Sequence, residues 1–301
     1  MNHSAPTEAS KQSQSKRLRR FFARLWRRNP GSFIGLVLLV LITLVGIFAP
    51  YLPLADPDYQ ILRSSLKQPG WVSPTGQRHL LGTDHLGRDM LARLFYGART
   101  SLMVGISAVA LAGILGVAIG LVAGYVGGIT DSVAVAIIDT QLAVPFILLT
   151  VTVLGIFGHS LRNIIIVLGL TGWVPYARSL RAETMSLKRR EFVEASNAMG
   201  CSHLRIMLRH ILPNAMASVI VISTLMVART ILAEAALSFI GLGLEPPNVS
   251  WGGMLADGRA FLSDAWWSAT FPGLAILVTV LSINLVGDWL RDVLDPRLRG
   301  V

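Results

Sequence analysis

From residue 32 onward, long apolar runs alternate with short polar stretches. A spanning helix needs about 20 mostly apolar residues at about 1.5 Å rise each. Six segments meet or approach that length: 32–53, 101–124, 132–157, 161–178, 213–237 and 267–288. The runs are too long, and alternate too little, for barrel strands. The pattern predicts an all-α polytopic membrane protein with six transmembrane helices. The fourth run is short and carries Pro175.

The polar stretches divide the chain further. Residues 1–31 form a tail in which Leu18, Phe21, Phe22, Leu25 and Trp26 fall at helical spacing among six arginines, the pattern of an amphipathic helix lying on a membrane surface. After the first helix (32–53) comes a loop, 54–100. Near its end Thr83 or Asp84 can cap a short surface helix, with Met90, Leu91, Leu94 and Phe95 on one face and Gly97 as its stop. Residues 101–288 form a core of five spans, interrupted at about 188–212 by a polar, basic loop, and 289–301 close the chain. In the second span Gly116, Gly120 and Gly124 make a small-residue stripe suited to close helix packing.

The loop EFVEASNAMGCSHLRIMLRHILP, 191–213, predicts two short helices. Phe192, Ala195 and Met199 share one side of the first, which Gly200 ends through its tolerance of positive φ. Ser202 can cap the second, whose Leu204, Met207, Leu208 and Ile211 form an apolar stripe, and Pro213 marks the start of the next span. Small residues at Ala195, Ser196 and Ala198 let a partner come close, while Glu194, Arg205 and Arg209 can pair across the contact. A plain amphipathic hairpin against the headgroups is the other reading of the residues alone.

Composition agrees with the class: 301 residues, 52% hydrophobic, only 15% charged, and mean hydropathy +0.58 leave too little polar surface to coat a soluble globule. With six helices both termini share a side. That side holds 18 of the Lys and Arg residues against 8 on the other, with Arg229 inside the fifth span. The bias puts the N and C termini and the 188–212 loop in the cytoplasm. Much of the net charge of +10 is therefore topological. Anionic lipid of the bilayer is the expected partner; nucleic acid is not, because the basic residues are dispersed between spans. The first apolar run is too long, and starts too late, for a cleavable signal peptide, so the first helix is expected to remain as an anchor.

Charges within the spans are costly and point to function or pairing. Asp139 lies about two turns into the third span; Arg229 and Glu234 lie in the outer half of the fifth and are expected to face a wet cavity or a partner. These three are the candidate path-lining residues, with a structural bridge as the alternative for the pair. The single cysteine, Cys201, excludes an internal disulfide framework, and the six histidines show no metal-ligand spacing. No G-x-x-x-x-G-K-[ST] phosphate loop is present, so the chain is not expected to hydrolyse ATP, to be an enzyme, or to bind a cofactor itself.

Four motifs in order resemble one family. Gly82-Thr83-Asp84 with Gly87-Arg88-Asp89, the Glu194-Ala195-Ser196…Gly200…Leu212-Pro213 loop, the GLGLEPPNVSWGGML stretch 241–255 and the terminal GDWLRDVLDPRLR 287–299 are similar to the C-type permease of dipeptide, oligopeptide and nickel ABC importers. Ser196 departs from the second Ala of the EAA triad, and His210 stands where the general pattern has Ile.

The resemblance implies a type I importer permease fold in a bacterial inner membrane and a homologous B-type permease partner. It also implies two ATPase subunits, which use ATP and Mg, and an external substrate-binding protein. Coupling to the ATPases would fall to Glu194, Ala195, Ser196, Gly200, Leu204, Arg205, Leu212 and Pro213. Among the outer-loop tryptophans, Trp266 and Trp267 read as headgroup anchors. Trp251, in a Gly- and Pro-rich turn, is the candidate contact for the binding protein. Di- or oligopeptides are the expected cargo, with nickel or glutathione as alternatives. Outside this family the rival readings are a standalone secondary transporter or channel, and a non-transport scaffold.

Overall fold

The computed structural model describes residues 29–74 and 76–294. The amphipathic helix expected over 17–28 and the chain beyond Leu294 lie outside the described residues.

Eleven α-helices carry the described fold. They are α1 (Pro30–Phe48), α2 (Met90–Val126), α3 (Gly128–Ala143), α4 (Phe146–Phe157), α5 (Leu161–Thr171), α6 (Val174–Lys188), α7 (Glu191–Ala198), α8 (His203–Ile206), α9 (Leu212–Leu237), α10 (Trp251–Gly258) and α11 (Trp267–Leu294). A two-stranded antiparallel ribbon, Trp71–Val72 with Arg78–His79, sits in the loop between α1 and α2.

Four stretches are each long and apolar enough to cross a membrane: Pro30–Tyr51, Met90–Val126, His203–Leu242 and Trp267–Leu294. α3 and α4, bent by 84°, together pass the same test and make a fifth when counted as one broken span. The expected continuous helix over 132–157 is interrupted at Val144 because Pro145 has no N–H to donate and forces the residue before it into extended backbone, ψ 122°. The fourth expected crossing, 161–178, also differs. It ends as α5 at Thr171 and restarts as α6 at Val174, with Pro175 in the first turn, where a missing N–H costs nothing. Neither half is long and apolar enough to count alone, so among the described residues length and hydropathy by themselves recover at most five of the six expected crossings, and α5 with α6 is the one they leave out.

α2 is the shaft of the molecule. Its 37 residues span about 55 Å at 1.5 Å each. The separate surface helix expected from Thr83 or Asp84 is not formed. Asp89 is the cap, its carboxylate accepting from the Ala92 N–H at 2.8 Å, and the helix runs through Gly97 into the span. Gly97 continues the helix because the Trp251 indole packs on it: a Cβ there would lie 2.9 Å from the Trp251 ring. That contact offsets the roughly 1 kcal/mol that a mid-helix glycine costs.

The glycine stripe does what its spacing predicts. A Cβ at Gly120 would lie 2.5 Å from the carbonyl oxygen of Ala177, and one at Gly124 2.6 Å from that of Arg181. Gly116 meets Trp173 in the same way, so two rows at four-residue intervals bring α2 and α6 to backbone contact. α1 packs against α11, with Gly35 on Leu285, and crosses α2 where Gly46 meets the Arg99 backbone.

Candidate functional site

The loop at about 188–212 folds as α7 and α8, slung between α6 and α9. α7 stops at Gly200, whose N–H donates to the Asn197 carbonyl at 3.0 Å while the Cys201 N–H donates to Ser196 at 3.1 Å, the paired bonds of a Schellman stop. Gly200 has φ +78° and open space where a side chain would be, so the backbone conformation, rather than crowding, selects glycine. α8 passes without interruption through a π-helical turn, Met207–Ile211, into α9, with Leu212 half-buried and Pro213 exposed at the first positions.

That π turn corrects the expected apolar stripe. With one residue more per turn, the buried positions are Ile206 and Ile211, five apart, packed with Val193, Leu121, Tyr125 and Leu180. Leu204 and Leu208 instead point outward, 63% and 49% exposed. On α7 the inward residues are Val193 and Ser196. The Ser196 hydroxyl donates to the Phe192 carbonyl at 2.7 Å, so Ser196 packs on its own chain and is not available to a partner. Glu194, Ala195, Gly200, Leu204 and Arg205 are exposed, alongside Phe192 and Met199. The outer surface is thus apolar knobs flanked by charges, held from behind by a buried face.

Polar tethers tie the loop to the helix ends beside it. The Tyr125 hydroxyl and His203 Nδ1 are 2.9 Å apart, and Lys188 Nζ donates to the Tyr125 carbonyl at 2.6 Å. Arg181 forms a two-pronged pair with Asp131, its Nη2 2.6 Å from Oδ2.

A cavity of about 920 Å³ opens where the two broken helices meet α9. Its walls include Gln141, Val144, Pro145 and Phe146 at the α3–α4 break, Thr171, Val174, Pro175, Arg178 and Ser179 at the α5–α6 break, and Met226, Arg229, Thr230 and Ala233 of α9. The two breaks are joined by Gln141, whose amide nitrogen donates to the Thr171 carbonyl at 2.8 Å. Arg178 and Arg229 both line this space, and neither has a hydrogen-bond or ion-pair partner among the described residues. An arginine at the bilayer centre costs about 2.5–3.5 kcal/mol on the lenient insertion scale. Its guanidinium is therefore stable here only in water or against another molecule.

Of the three expected path residues, only Arg229 reaches the cavity. Asp139 is exposed on α3 but does not line it. Glu234 is 1% exposed, and its Oε1 accepts from Ser250 at 2.7 Å and Ser238 at 2.9 Å. Five residues turn a helix by about 140° past one full turn, so Arg229 and Glu234 face different sides, and Glu234 is a joint between α9 and α10. Trp251 is likewise not a surface contact. It is 2% exposed, with its backbone N–H donating to Ser101 Oγ at 3.2 Å and its indole N–H to the Leu94 carbonyl at 2.9 Å. The turn that holds it folds inward onto Gly97.

The opposite end of α2 carries a dense clamp. Asp84 Oδ1 accepts from the Leu86 and Arg88 N–H groups, and Oδ2 lies 2.6 Å from Arg88 Nε and 3.5 Å from Arg93 Nε. Asp89 lies 2.7 Å from His79 Nδ1, and Arg88 reaches Asp257 in the last turn of α10 at 3.5 Å. The Trp267 indole donates to the Thr83 carbonyl at 3.1 Å, fastening the same loop to α11.

Known proteins share this architecture. The family model for the binding-protein-dependent transport system inner membrane component matches residues 116–300, and that for the N-terminal TM domain of oligopeptide transport permease C matches 17–69. The chain belongs to this family of transport permeases. The Pseudomonas aeruginosa di/tripeptide transport system permease protein DppC is 40% identical over 298 residues, 99% of this chain and 98% of that protein. The dipeptide transport system permease protein DppC of Escherichia coli K12 is 43% identical over 278 residues, 92% of this chain and 93% of that one. An inward-facing MetNI methionine ABC transporter covers 68% of this chain and 98% of its own, with TM-score 0.55 and 19% identity, which identifies the type I importer permease fold. This permease is a multi-pass inner-membrane transport component rather than an enzyme. The matched region contains every cavity-lining residue and the whole α7–α8 loop. Arg178 and the bridging role of Gln141 are features the sequence reading did not select; the signal was the pair of prolines, Pro145 and Pro175, that break the helices on either side of them.

Proposed function

We propose that this permease is the C-type subunit of an ATP-driven importer of di- or oligopeptides. It pairs with a homologous B-type permease to form the path, receives peptide from an external binding protein, and docks two ATPases, one through its own α7–α8 loop. ATP, with Mg, is bound and hydrolysed by those ATPases, whose closure pushes the loop and swings the spans to open the path outward. With the broken pair α5–α6 taken as the remaining crossing, the N and C termini and the loop lie in the cytoplasm, which the Lys and Arg bias supports. Full-length relatives named for dipeptide transport support the cargo.

The observation that carries the docking role is the loop's two-sidedness. Its apolar back, Val193, Ile206 and Ile211, is sealed against the core, while Leu204 and Met199 stand 63% and 75% exposed beside Glu194 and Arg205. Exposed apolar anchors rimmed by charge are what a protein interface buries.

The test is co-purification and uptake with the co-encoded subunits. Leu204→Ala removes an outward anchor without touching the buried face. It is expected to weaken ATPase retention about tenfold, the effect of a moderate interface anchor, while the variant still assembles in the membrane. Retention equal to wild type for Leu204→Ala and Glu194→Ala together, or peptide uptake independent of ATP, would overturn the reading.

A further inference from the structure

We infer that the cavity is a carboxylate-binding relay, in which Arg229 and Arg178 receive the C-terminal carboxylate of the transported peptide at successive depths. The inference rests on the importer reading and names what the path recognises.

Three features of one cavity converge on an anion. First, its lining includes two guanidinium groups and no carboxylate, and both lack partners among the described residues. A planar guanidinium matches a carboxylate with two parallel N–H donors. Second, two half-helices begin at this cavity. α4 starts after Pro145 and α6 after Trp173, and neither has a side-chain cap. The first-turn N–H groups of a helix have no intrahelical acceptor and carry partial positive charge. Broken membrane helices use such ends to hold anionic groups of a solute. Third, the two competing negative ends are partly damped: the Thr171 carbonyl at the end of α5 accepts from the Gln141 amide, and the Gln141 carbonyl at the end of α3 accepts from the Val144 N–H at 3.3 Å. What the cavity offers to a solute is therefore mainly positive.

The depths differ. Arg229 lies 17 residues along α9 from Leu212, about 25 Å by helical rise, whereas Arg178 lies ten residues before Lys188, about 15 Å from that end of α6. A dipeptide entering a low-dielectric passage must shed water from a full negative charge. Two fixed cations at different heights replace that water in turn, and neither holds the carboxylate against a permanent counter-charge in this chain. The other use for an unpaired Arg229 is a fixed ion pair with the partner permease, and it predicts different behaviour.

The complete importer, with its co-encoded subunits freed of reactive thiols, is assembled in proteoliposomes with Cys201→Ser as parent, which removes the one native thiol of this chain. Into this parent Arg229→Cys is introduced. Uptake of a labelled dipeptide per ATP hydrolysed is expected to fall at least tenfold while docking-stimulated hydrolysis persists. Attaching an aminoethyl group through its methanethiosulfonate, which restores a cation, is expected to recover most uptake; the sulfonatoethyl reagent is not. Saturating dipeptide during turnover is expected to slow modification of the new thiol several-fold.

Unchanged uptake per ATP, equal recovery with either reagent, or a thiol that neither reagent reaches would overturn the relay. A modification rate indifferent to dipeptide would instead assign Arg229 to a fixed pair with the partner subunit, which also overturns it. Failure of the unsubstituted importer to take up dipeptide with ATP would strike the importer reading, not the arginines.

Discussion

The two ends of α2 are fastened in contrasting ways. At the Met90 end the loop 79–93 is locked by buried charge: Asp84, Arg88, Asp89 and Arg93 are each under 10% exposed and bonded to one another, to His79 and to Asp257. At the Val126 end the α7–α8 loop rests on a thin apolar seam and two polar tethers through Tyr125, with most of its surface open. Multiply cross-linked, water-excluded charges have few alternative arrangements, whereas an apolar seam can slide. The comparison assigns the clamp as the fixed end and the loop as the end that takes up force.

The largest expected effect tests the fixed end. Asp84→Ala removes the acceptor for two N–H groups and two guanidinium groups at once and leaves two buried arginines short of their counter-charge. Breaking one partner of a buried pair costs about 3–5 kcal/mol. The variant is expected to unfold well below wild type in a detergent thermal melt and to reach the membrane poorly. A melt within a degree or two of wild type would show that the clamp is ornamental and remove the contrast.

A middle-sized effect tests the shaft joining the ends. Gly120→Ala pushes a methyl into the Ala177 backbone, where the Cβ would lie 2.5 Å from the carbonyl oxygen. Backbone cannot rotate away as a side chain can, so α6 must move, at about 1–3 kcal/mol, the usual cost of overpacking. Because α6 carries Arg178 and leads into the loop, uptake is expected to fall more steeply than the melting temperature. Gly113→Ala is the control, since its Cβ would meet only the Tyr176 ring at 3.7 Å.

Much of this was legible in the residues. Four-residue glycine spacing on 116, 120 and 124 is a local signal with one common physical cause, close helix contact, and it reads through directly to α6. The Gly200 stop is equally local. What could not be read was set by partners distant in sequence. Glu234 and Arg229 look alike as charges in one span; only the fold of 250–252 back onto α9 adds Ser250 to the nearby Ser238 as a donor to Glu234 and buries it, while Arg229 faces open space. Trp251 looked exposed because Gly and Pro surround it, yet those residues let the turn fold inward. The π turn at 207–211 was missed because its extra residue breaks the 3.6 period used to place the apolar stripe.

The smallest effect is the most informative about the moving end. Tyr125 sits in the last turn of the shaft, half in the apolar seam with Ile206 and Val193 and half in the tethers, its hydroxyl against His203. Tyr125→Phe deletes only that hydroxyl. The seam is kept, and so is the Lys188 bond, which goes to the backbone carbonyl. A single hydrogen bond contributes about 0.5–1.5 kcal/mol net, so the melt is expected to stay near that of wild type. If the loop transmits force through its attachment to α2, however, loosening this tether lets α8 yield before the shaft does. Peptide moved per ATP hydrolysed is then expected to fall about two- to fivefold with hydrolysis itself unchanged. The same loss in Tyr125→Phe without any in His203→Ala would place the effect elsewhere than in the pair. Full coupling in both would mean that the apolar seam alone carries the stroke, which sharpens the contrast with the clamp instead of removing it.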